Sequence, residues 1–415
     1  MPHVAMYIGS LTRGGAERVM VNLAEELFAR GWKVTLVTTY LGDDEYGVPH
    51  GCWQRAADGG GLGVLNTDDR PAAVTFDGIS GDKEISGHGV SGSETYIGRV
   101  FSGVSSAQAG SRPAAFVKRR KRLEEIWREL KPDVILSFIG KNNLMALMTA
   151  RKYRIPVVVS VRAVPELEYP GKLMKTAADI LFARAAAVVV QTKAAADFFA
   201  EKVRKRAAVV PNAVSREFTE DGASGPGTGD RETTVAAVGR MDANKRFDLL
   251  LGAFADIVKE GGGEENKYRL LLYGDGEDRK KLEELAGELG IAERTDFKGY
   301  RSDIAKQLRN AGMYCLMSDT EGMPNTLIEA LCLGVPCITT DCIPGGIAQL
   351  VTDGEDALVI PAGDRAALGA AMKRIIGDHE LAAKLSANGK KLREKYDPDN
   401  VTDIWENLLK GAVGK

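Results

Sequence analysis

Cysteine is scarce in this 415-residue chain, and the five present, Cys52, Cys315, Cys332, Cys337 and Cys342, form neither a paired disulfide framework nor a Cys-x-x-Cys ligand set. They are expected to be reduced and mostly buried. No apolar run approaches the length that spans a bilayer, so no transmembrane helix is expected. The first residues, Met1 to Gly9, read directly into a strand and lack the basic start, long apolar stretch and small-residue cleavage site of an export signal. A cytoplasmic protein is the expectation. There is no full Gly-x-Gly-x-x-Gly and no P-loop lysine, which disfavours dinucleotide-linked redox chemistry and ATP hydrolysis. The one Asp-x-Asp, Asp397-Pro-Asp399, precedes a helical run and suits helix capping better than metal binding.

What is present is the composition of a soluble globular protein, 44% apolar and 27% charged, in a chain long enough for two domains. The net charge of −2 conceals an uneven distribution. Through Glu217 there are 30 Lys+Arg against 23 Asp+Glu, and beyond it 25 against 34. A basic first half suits an anionic membrane surface or a phosphate-bearing acceptor, although unequal halves also arise by chance. No nucleic-acid partner is expected.

Val4 to Ile8, helical periodicity from Gly14 to Arg30, and β-branched Lys33 to Thr38 make a βαβ opening. Strand candidates Asp133 to Phe138, Pro156 to Val161, Ala187 to Gln191 and Ala207 to Val210 continue it, separated by helical stretches. The stretch around Asn212 to Glu232, and Asp221 to Asp230 above all, is rich in Gly, Pro, Ser and acid and reads as a linker. A second alternation follows, with strands near Thr233 to Val238, Tyr268 to Tyr273, Thr295 to Lys298, Met313 to Leu316, Pro336 to Thr339 and Ala357 to Ile360. The expected fold is α/β, two doubly wound parallel sheets, with ligands in a cleft beyond the carboxyl ends of the strands. Residues 59–113, with twelve glycines and no sustained period, break the rhythm. They read as an atypical insertion: a disordered excursion, an acceptor or partner element, or an abnormal stretch of the gene.

The chemistry concentrates in Ser318-Asp-Thr-Glu-Gly-Met-Pro-Asn-Thr-Leu-Ile-Glu329, which follows a strand and places Pro324 where a first helical position tolerates it. Backbone N–H groups from Gly322 to Thr326 would favour a phosphate oxygen, with Met323 and Asn325 between them. Glu321 and Glu329 bracket that anion site, able to accept bonds from vicinal hydroxyls, or else serving only to stabilise a helix N-terminus. Gly239-Arg240 with Lys245 adds cations at another strand's carboxyl end, where a diphosphate would lie. Solvated charges at a helix start are the alternative, but cations there oppose the dipole. Gly274, in Leu272-Tyr-Gly-Asp-Gly276, permits close backbone approach, and Gly14 and Gly15 open the first helix of the other domain.

Glu321-x7-Glu329 in its Glu-Gly-Met-Pro-Asn setting, with Gly239-Arg240 and Lys245, resembles the retaining glycosyltransferases of family four, which have the GT-B fold. The resemblance covers nearly all the chain outside 59–113. It implies an acceptor-side domain over 1–215, a nucleotide-sugar domain over 216–397, and a helix over 398–415 returning to the first domain. It further implies that Glu321 contacts donor-sugar hydroxyls, Glu329 the ribose, and Arg240 with Lys245 the diphosphate. The Gly299-Tyr300-Arg301 backbone would meet the nucleobase, and Gly14 and Gly15 the donor phosphate. Many relatives carry a histidine near the reacting sugar, but His3, His50, His88 and His379 do not fit it. Ser160-Val-Arg162 instead resembles relatives that extend lipid-linked oligosaccharides, making Arg162 the acceptor-side candidate; a surface Arg beside a turn is the other reading.

The expected reaction moves a hexose or N-acetylhexosamine from a nucleotide sugar, a UDP-sugar by resemblance, to a lipid-linked or cell-surface glycan. No metal and no cofactor beyond that donor is expected. Phe116 to Leu130 reads as an amphipathic helix with apolar residues at 116, 123, 127 and 130 and five consecutive cations, either a solvated face or a contact with an anionic membrane. Another GT-B enzyme, such as an epimerase, or a non-catalytic sugar-nucleotide-binding protein remain the alternatives.

Overall fold

The structure is a computed structural model that describes residues 1–12, 14–40, 45–46, 52–55, 62–65, 97–102, 111–220, 231–261, 267–342 and 346–414. The chain divides into two compact units, Met1–Val210 with Thr402–Lys415, and Pro211–Val401.

The first unit is built on β1 His3–Ile8, β2 Lys33–Thr38, β3 Cys52–Arg55, β4 Leu62–Leu65, β5 Ile97–Phe101, β6 Val134–Phe138, β7 Val157–Ser160, β8 Ala187–Val190 and β9 Ala207–Val209. Their order is β4-β3-β5-β2-β1-β6-β7-β8-β9, with only the β3/β4 pair antiparallel. β1 and β6 are buried at every position, as strands covered on both faces must be. Chain order reverses between β1 and β6, which makes the gap beyond their carboxyl ends the switch point of this sheet.

The second unit has six parallel strands, β10 Thr234–Val238, β11 Arg269–Tyr273, β12 Thr295–Gly299, β13 Met313–Leu316, β14 Cys337–Thr340 and β15 Leu358–Ile360, ordered β12-β11-β10-β13-β14-β15. The helix Phe247–Glu260 packs Leu250, Phe254 and Ile257 into a core that includes Val235 and Leu272. The helix Asn325–Cys332 packs Leu327, Ile328 and Leu331 into a second core with Ala236 and Tyr314. Here the order reverses between β10 and β13.

The two doubly wound sheets are those the sequence leads one to expect, but particular segments differ. Ile97–Phe101, inside the expected insertion, is a strand paired in parallel with β2. Its apolar run is broken by Gly98 and Arg99, which hides it from pattern reading. Arg99 is buried because it pairs with Glu45 at 2.6 Å and lies over the Phe101 ring at 4.7 Å. Strand β4, Ser102 and residues 111–113 also belong to that stretch; the remainder lies outside the described residues.

The linker residues Asp221 to Asp230 lie outside the described residues too. The chain just before them folds onto the second unit, where Val214 donates its N–H to Tyr396 O at 3.0 Å and Phe218 is fully buried. That contact places the division at Val210/Pro211. The basic helix runs Arg112–Leu130 and buries Leu123, Ile126 and Trp127, but its apolar stripe overruns the core near the helix start and leaves Phe116 and Val117 exposed. In the final helix, Pro398–Val413, Asp397 accepts the Asp399 N–H at 2.9 Å, as a cap does. From Thr402 on it belongs to the first unit, where Trp405 packs on Phe138 and Trp32 Nε1 donates to Glu406 at 2.9 Å.

Cys315, Cys332, Cys337 and Cys342 are free and buried, and burial pushes the Cys342 thiol up to about 11. The Cys52 side chain lies outside the described residues. Among the described residues no helix is long and apolar enough to cross a membrane.

Arg99→Ala would remove the cation from a buried carboxylate that also accepts the Leu11 N–H at 3.1 Å. The expected loss is about 3–5 kcal/mol in urea unfolding. An unchanged midpoint would mean that the pair does not hold β5 to the segment after β1.

Candidate active site

The loops leaving β10, β11 and β12 are stitched together by backbone bonds. Gly239 N donates to Tyr273 O at 3.0 Å, Met241 N to Asp275 O at 3.0 Å, and Gly274 N to Gly299 O at 2.8 Å. The stitching dictates glycine. Gly274 has φ +116, and a Cβ there would lie 2.0 Å from Gly239 O; one at Gly276 would lie 2.3 Å from Met241 O. The close approach expected at Gly274 is made by the Arg240 loop. Its contribution is to shape that loop.

Beyond Gly239 the chain exposes Arg240 and turns through Ala243–Lys245 with the Asp242 side chain as its cap, accepting the Lys245 N–H at 3.2 Å. The Lys245 stem folds back over Gly239, where a Cβ would sit 3.3 Å from its Cδ and Cε. This brings Lys245 Nζ to 2.5 Å from Glu321 Oε1, in the loop after β13. The two loops are also joined through their backbones, Asp319 N donating to Asn244 O at 2.9 Å and Asn244 Nδ2 to Thr320 O at 3.1 Å. Arg246, at φ 48, forks onto Asp248 and Asp319. Asn244, Arg246 and Asp319 thus hold the geometry, and sequence reasoning missed them because each acts across about 75 residues of chain or through a backbone atom.

The helix after Glu321 begins at Asn325, so Pro324 is its N-cap rather than its first residue. Glu329, on this helix, is only 1% exposed. Tyr314 OH donates to Thr326 Oγ1 at 2.8 Å; burial pushes its phenol far up, and the Glu329 and Glu321 charges add to that. The side chains of three expected ligand residues serve the protein itself. Met323 Sδ accepts the Asn212 N–H at 3.2 Å, Asn325 Oδ1 accepts from Asn212 Nδ2 at 2.5 Å, and Thr326 ties the helix to Tyr314. What Gly322 to Thr326 can offer a ligand is backbone N–H at a helix start. Tyr300 is half-exposed, while Arg301 turns onto Asp303 at 2.9 Å.

In the first unit Gly14 caps the helix Gly15–Ala29 in an extended conformation. Arg162 is not the surface residue of the alternative reading. It is 6% exposed, lies 5.0 Å from the Phe138 ring and 5.5 Å from that of Trp405, and donates to Val210 O at 3.5 Å. Burial lowers its pKa to about 9, against the raising influence of Glu168. Through Trp405 it packs against the final helix. Glu168, which the sequence did not single out, accepts the N–H groups of Gly140 (2.7 Å), Arg162 (2.8 Å) and Ala163 (2.7 Å). Burial raises its carboxyl pKa while those three donors oppose the rise.

Two family models match the sequence, a glycosyl transferase 4-like domain over residues 14–213 and glycosyl transferases group 1 over residues 224–392. The chain is a glycosyltransferase of GT-B fold. The glycosyltransferase is 25% identical over 298 residues, 71% of this chain and 79% of the relative, to the GalNAc-alpha-(1->4)-GalNAc-alpha-(1->3)-diNAcBac-PP-undecaprenol alpha-1,4-N-acetyl-D-galactosaminyltransferase of Campylobacter jejuni. It is 31% identical over 182 residues to the lipopolysaccharide core biosynthesis glycosyltransferase LpsD of Rhizobium meliloti, covering 44% of this chain and 50% of that one. Its fold is that of Anabaena HepE, crystallised with UDP, at TM-score 0.70 and 16% identity over 99% of this chain and 100% of the other. Sucrose-phosphate synthase of Thermosynechococcus elongatus matches with TM-score 0.70 and 18% identity, over 99% and 98%.

Gly274→Ala tests the stitched loops of the glycosyltransferase. A left-handed conformation alone costs about 1–2 kcal/mol without glycine, and the 2.0 Å approach must also be relieved by moving the Arg240 loop. The expected outcome is a lower melting temperature together with weakened nucleotide binding. Retained binding at the parent's strength would dissociate Gly274 from the site.

Proposed function

We propose that this glycosyltransferase transfers a hexose or N-acetylhexosamine from a UDP-sugar to a lipid-linked or cell-surface glycan precursor, with retention of anomeric configuration and without a metal. The observation that carries the donor side is the Lys245–Glu321 pair at the switch point between β10 and β13, with Arg240 exposed beside it and Glu329 buried on the following helix. Arg240 and Lys245 would take the diphosphate, Glu321 the sugar hydroxyls and Glu329 the ribose. The backbone at Gly299 to Arg301 would meet the base.

In the reaction the bond from the anomeric carbon to the diphosphate oxygen breaks, and a bond from that carbon to the acceptor hydroxyl oxygen forms on the same face. The acceptor proton passes to the departing phosphate. Negative charge grows on the leaving group, so pre-placed cations and helix N–H groups stabilise the transition state more than the ground state. The acceptor class is supported by the relatives, whose names specify an undecaprenol-linked saccharide and a lipopolysaccharide core.

A panel of nucleotide sugars scored for nucleotide release tests this. Release from one UDP-sugar is expected, falling roughly 100-fold or more in Glu321→Ala. Release from none, with Glu321→Ala binding donor as the parent does, would sink the assignment.

Peripheral membrane association completes the proposal. Phe116 and Val117 are exposed beside Lys118, Arg120 and Lys121. Leu173, 87% exposed, and Ile180 share a face of the helix Gly171–Phe182, which packs on the same helix, Gly140–Ala150, as the basic helix does. Sedimentation with anionic vesicles at low salt is expected to carry the protein down, and Leu173→Glu with Val117→Glu to leave it in solution. Equal partition onto zwitterionic and anionic vesicles, or onto neither, would contradict the membrane reading.

A further inference from the structure

The Lys245–Glu321 pair raises a question that its two assigned contacts leave open. A lysine meant for a diphosphate is already neutralised by a carboxylate 2.5 Å away. The pair is not a loose surface contact: the Lys245 and Glu321 side chains are 20% and 13% exposed. Lys245 is held by the Asp242 cap and by its stem lying on Gly239, and the Glu321 loop is fastened to the Lys245 turn through Asn244 at both Asp319 and Thr320. Those fastenings keep the two charges together at rest, and a turn of the Lys245 side chain, with the loops in place, is what parts them. Such a shielded, pre-positioned pair interacts more strongly than an exposed one.

We infer that Glu321 is a specificity-determining residue that discriminates the loaded donor from the released nucleotide, by competing for Lys245 against any diphosphate that brings no sugar. The inference rests on the donor-site reading above. A bare nucleoside diphosphate must draw Lys245 onto its phosphate oxygens and offers Glu321 nothing in exchange. It leaves a half-buried carboxylate facing like charge with its partner withdrawn, and both consequences oppose binding. A nucleotide sugar brings vicinal hydroxyls that donate to Glu321 as Lys245 turns to the diphosphate. The carboxylate then exchanges one partner for another. After transfer the sugar leaves with the acceptor, Glu321 loses those hydroxyls, and it reclaims Lys245 from the diphosphate that remains. The pair thereby favours entry of the substrate and departure of the product at one site, without any moving segment.

The test is calorimetric binding of UDP and of the UDP-sugar selected by the donor panel to the full chain and to Glu321→Gln and Lys245→Ala, each checked for an unchanged melting temperature. Glutamine keeps the shape and can still accept from sugar hydroxyls, but carries no charge. Glu321→Gln is expected to bind UDP about tenfold tighter or more, a 1.4 kcal/mol change, and the UDP-sugar no tighter than the parent. UDP should correspondingly become a stronger product inhibitor. Lys245→Ala is expected to weaken both ligands. If Lys245→Ala weakens UDP but Glu321→Gln binds it no tighter than the parent, competition for the lysine is overturned and the donor site stands. If Lys245→Ala leaves UDP binding unchanged, the donor-site reading falls and the inference with it.

Discussion

Parallel pairing of β10 with β13 sets side by side two loops that are some 75 residues apart in the chain, and the Lys245–Glu321 contact follows from that adjacency. Neither loop could present its charge alone. The Lys245 turn is positioned by Asp242 and Gly239, but its direction is fixed by Asn244 reaching both Asp319 and Thr320. In a doubly wound sheet the loops on either side of the reversal diverge and leave a crevice, so side chains from both can face one ligand. The chemistry of the second unit therefore depends on strand order before it depends on any residue type.

Much of this was legible in the sequence. The Glu-Gly-Met-Pro-Asn segment and the Arg240–Lys245 segment announce themselves because each combines a strand end with charges and helix-start residues. Their placement across the switch point follows once β10 and β13 are recognised as neighbours. The glycines were legible only in part. Gly274 and Gly276 signal close approach correctly, but a sequence cannot say whether a ligand or another loop is what approaches, and here it is the backbone from Gly239 to Met241.

What was illegible has a common cause: polar groups whose partners are distant in sequence. Arg99 looks like a break in a strand until Glu45 is beside it, and with that partner it becomes an interior residue of a parallel sheet. Arg162 reads as an acceptor contact, with a surface charge as the alternative, and the Phe138 and Trp405 rings that enclose it come from β6 and from the last helix. Met323, Asn325 and Thr326 sit in the most informative motif of the chain, yet two of their partners' positions, Asn212 and Tyr314, cannot be deduced from the motif.

The two sheets consequently treat their carboxyl edges in opposite ways. In the second unit Arg240 is exposed, and among the described residues it forms no ion pair, so a charge remains for a ligand. In the first unit the corresponding resources are committed internally. The N-terminus of the helix Gly140–Ala150, reached through Ile139 at φ 71, has its Gly140 N–H bound by the Glu168 carboxylate, and Arg162 is enclosed by aromatic rings. A helix start already holding an internal anion is a poor site for a phosphate from outside. Glu168 is what keeps the loops after β6 and β7 in one arrangement, because a single carboxylate receives N–H groups from both.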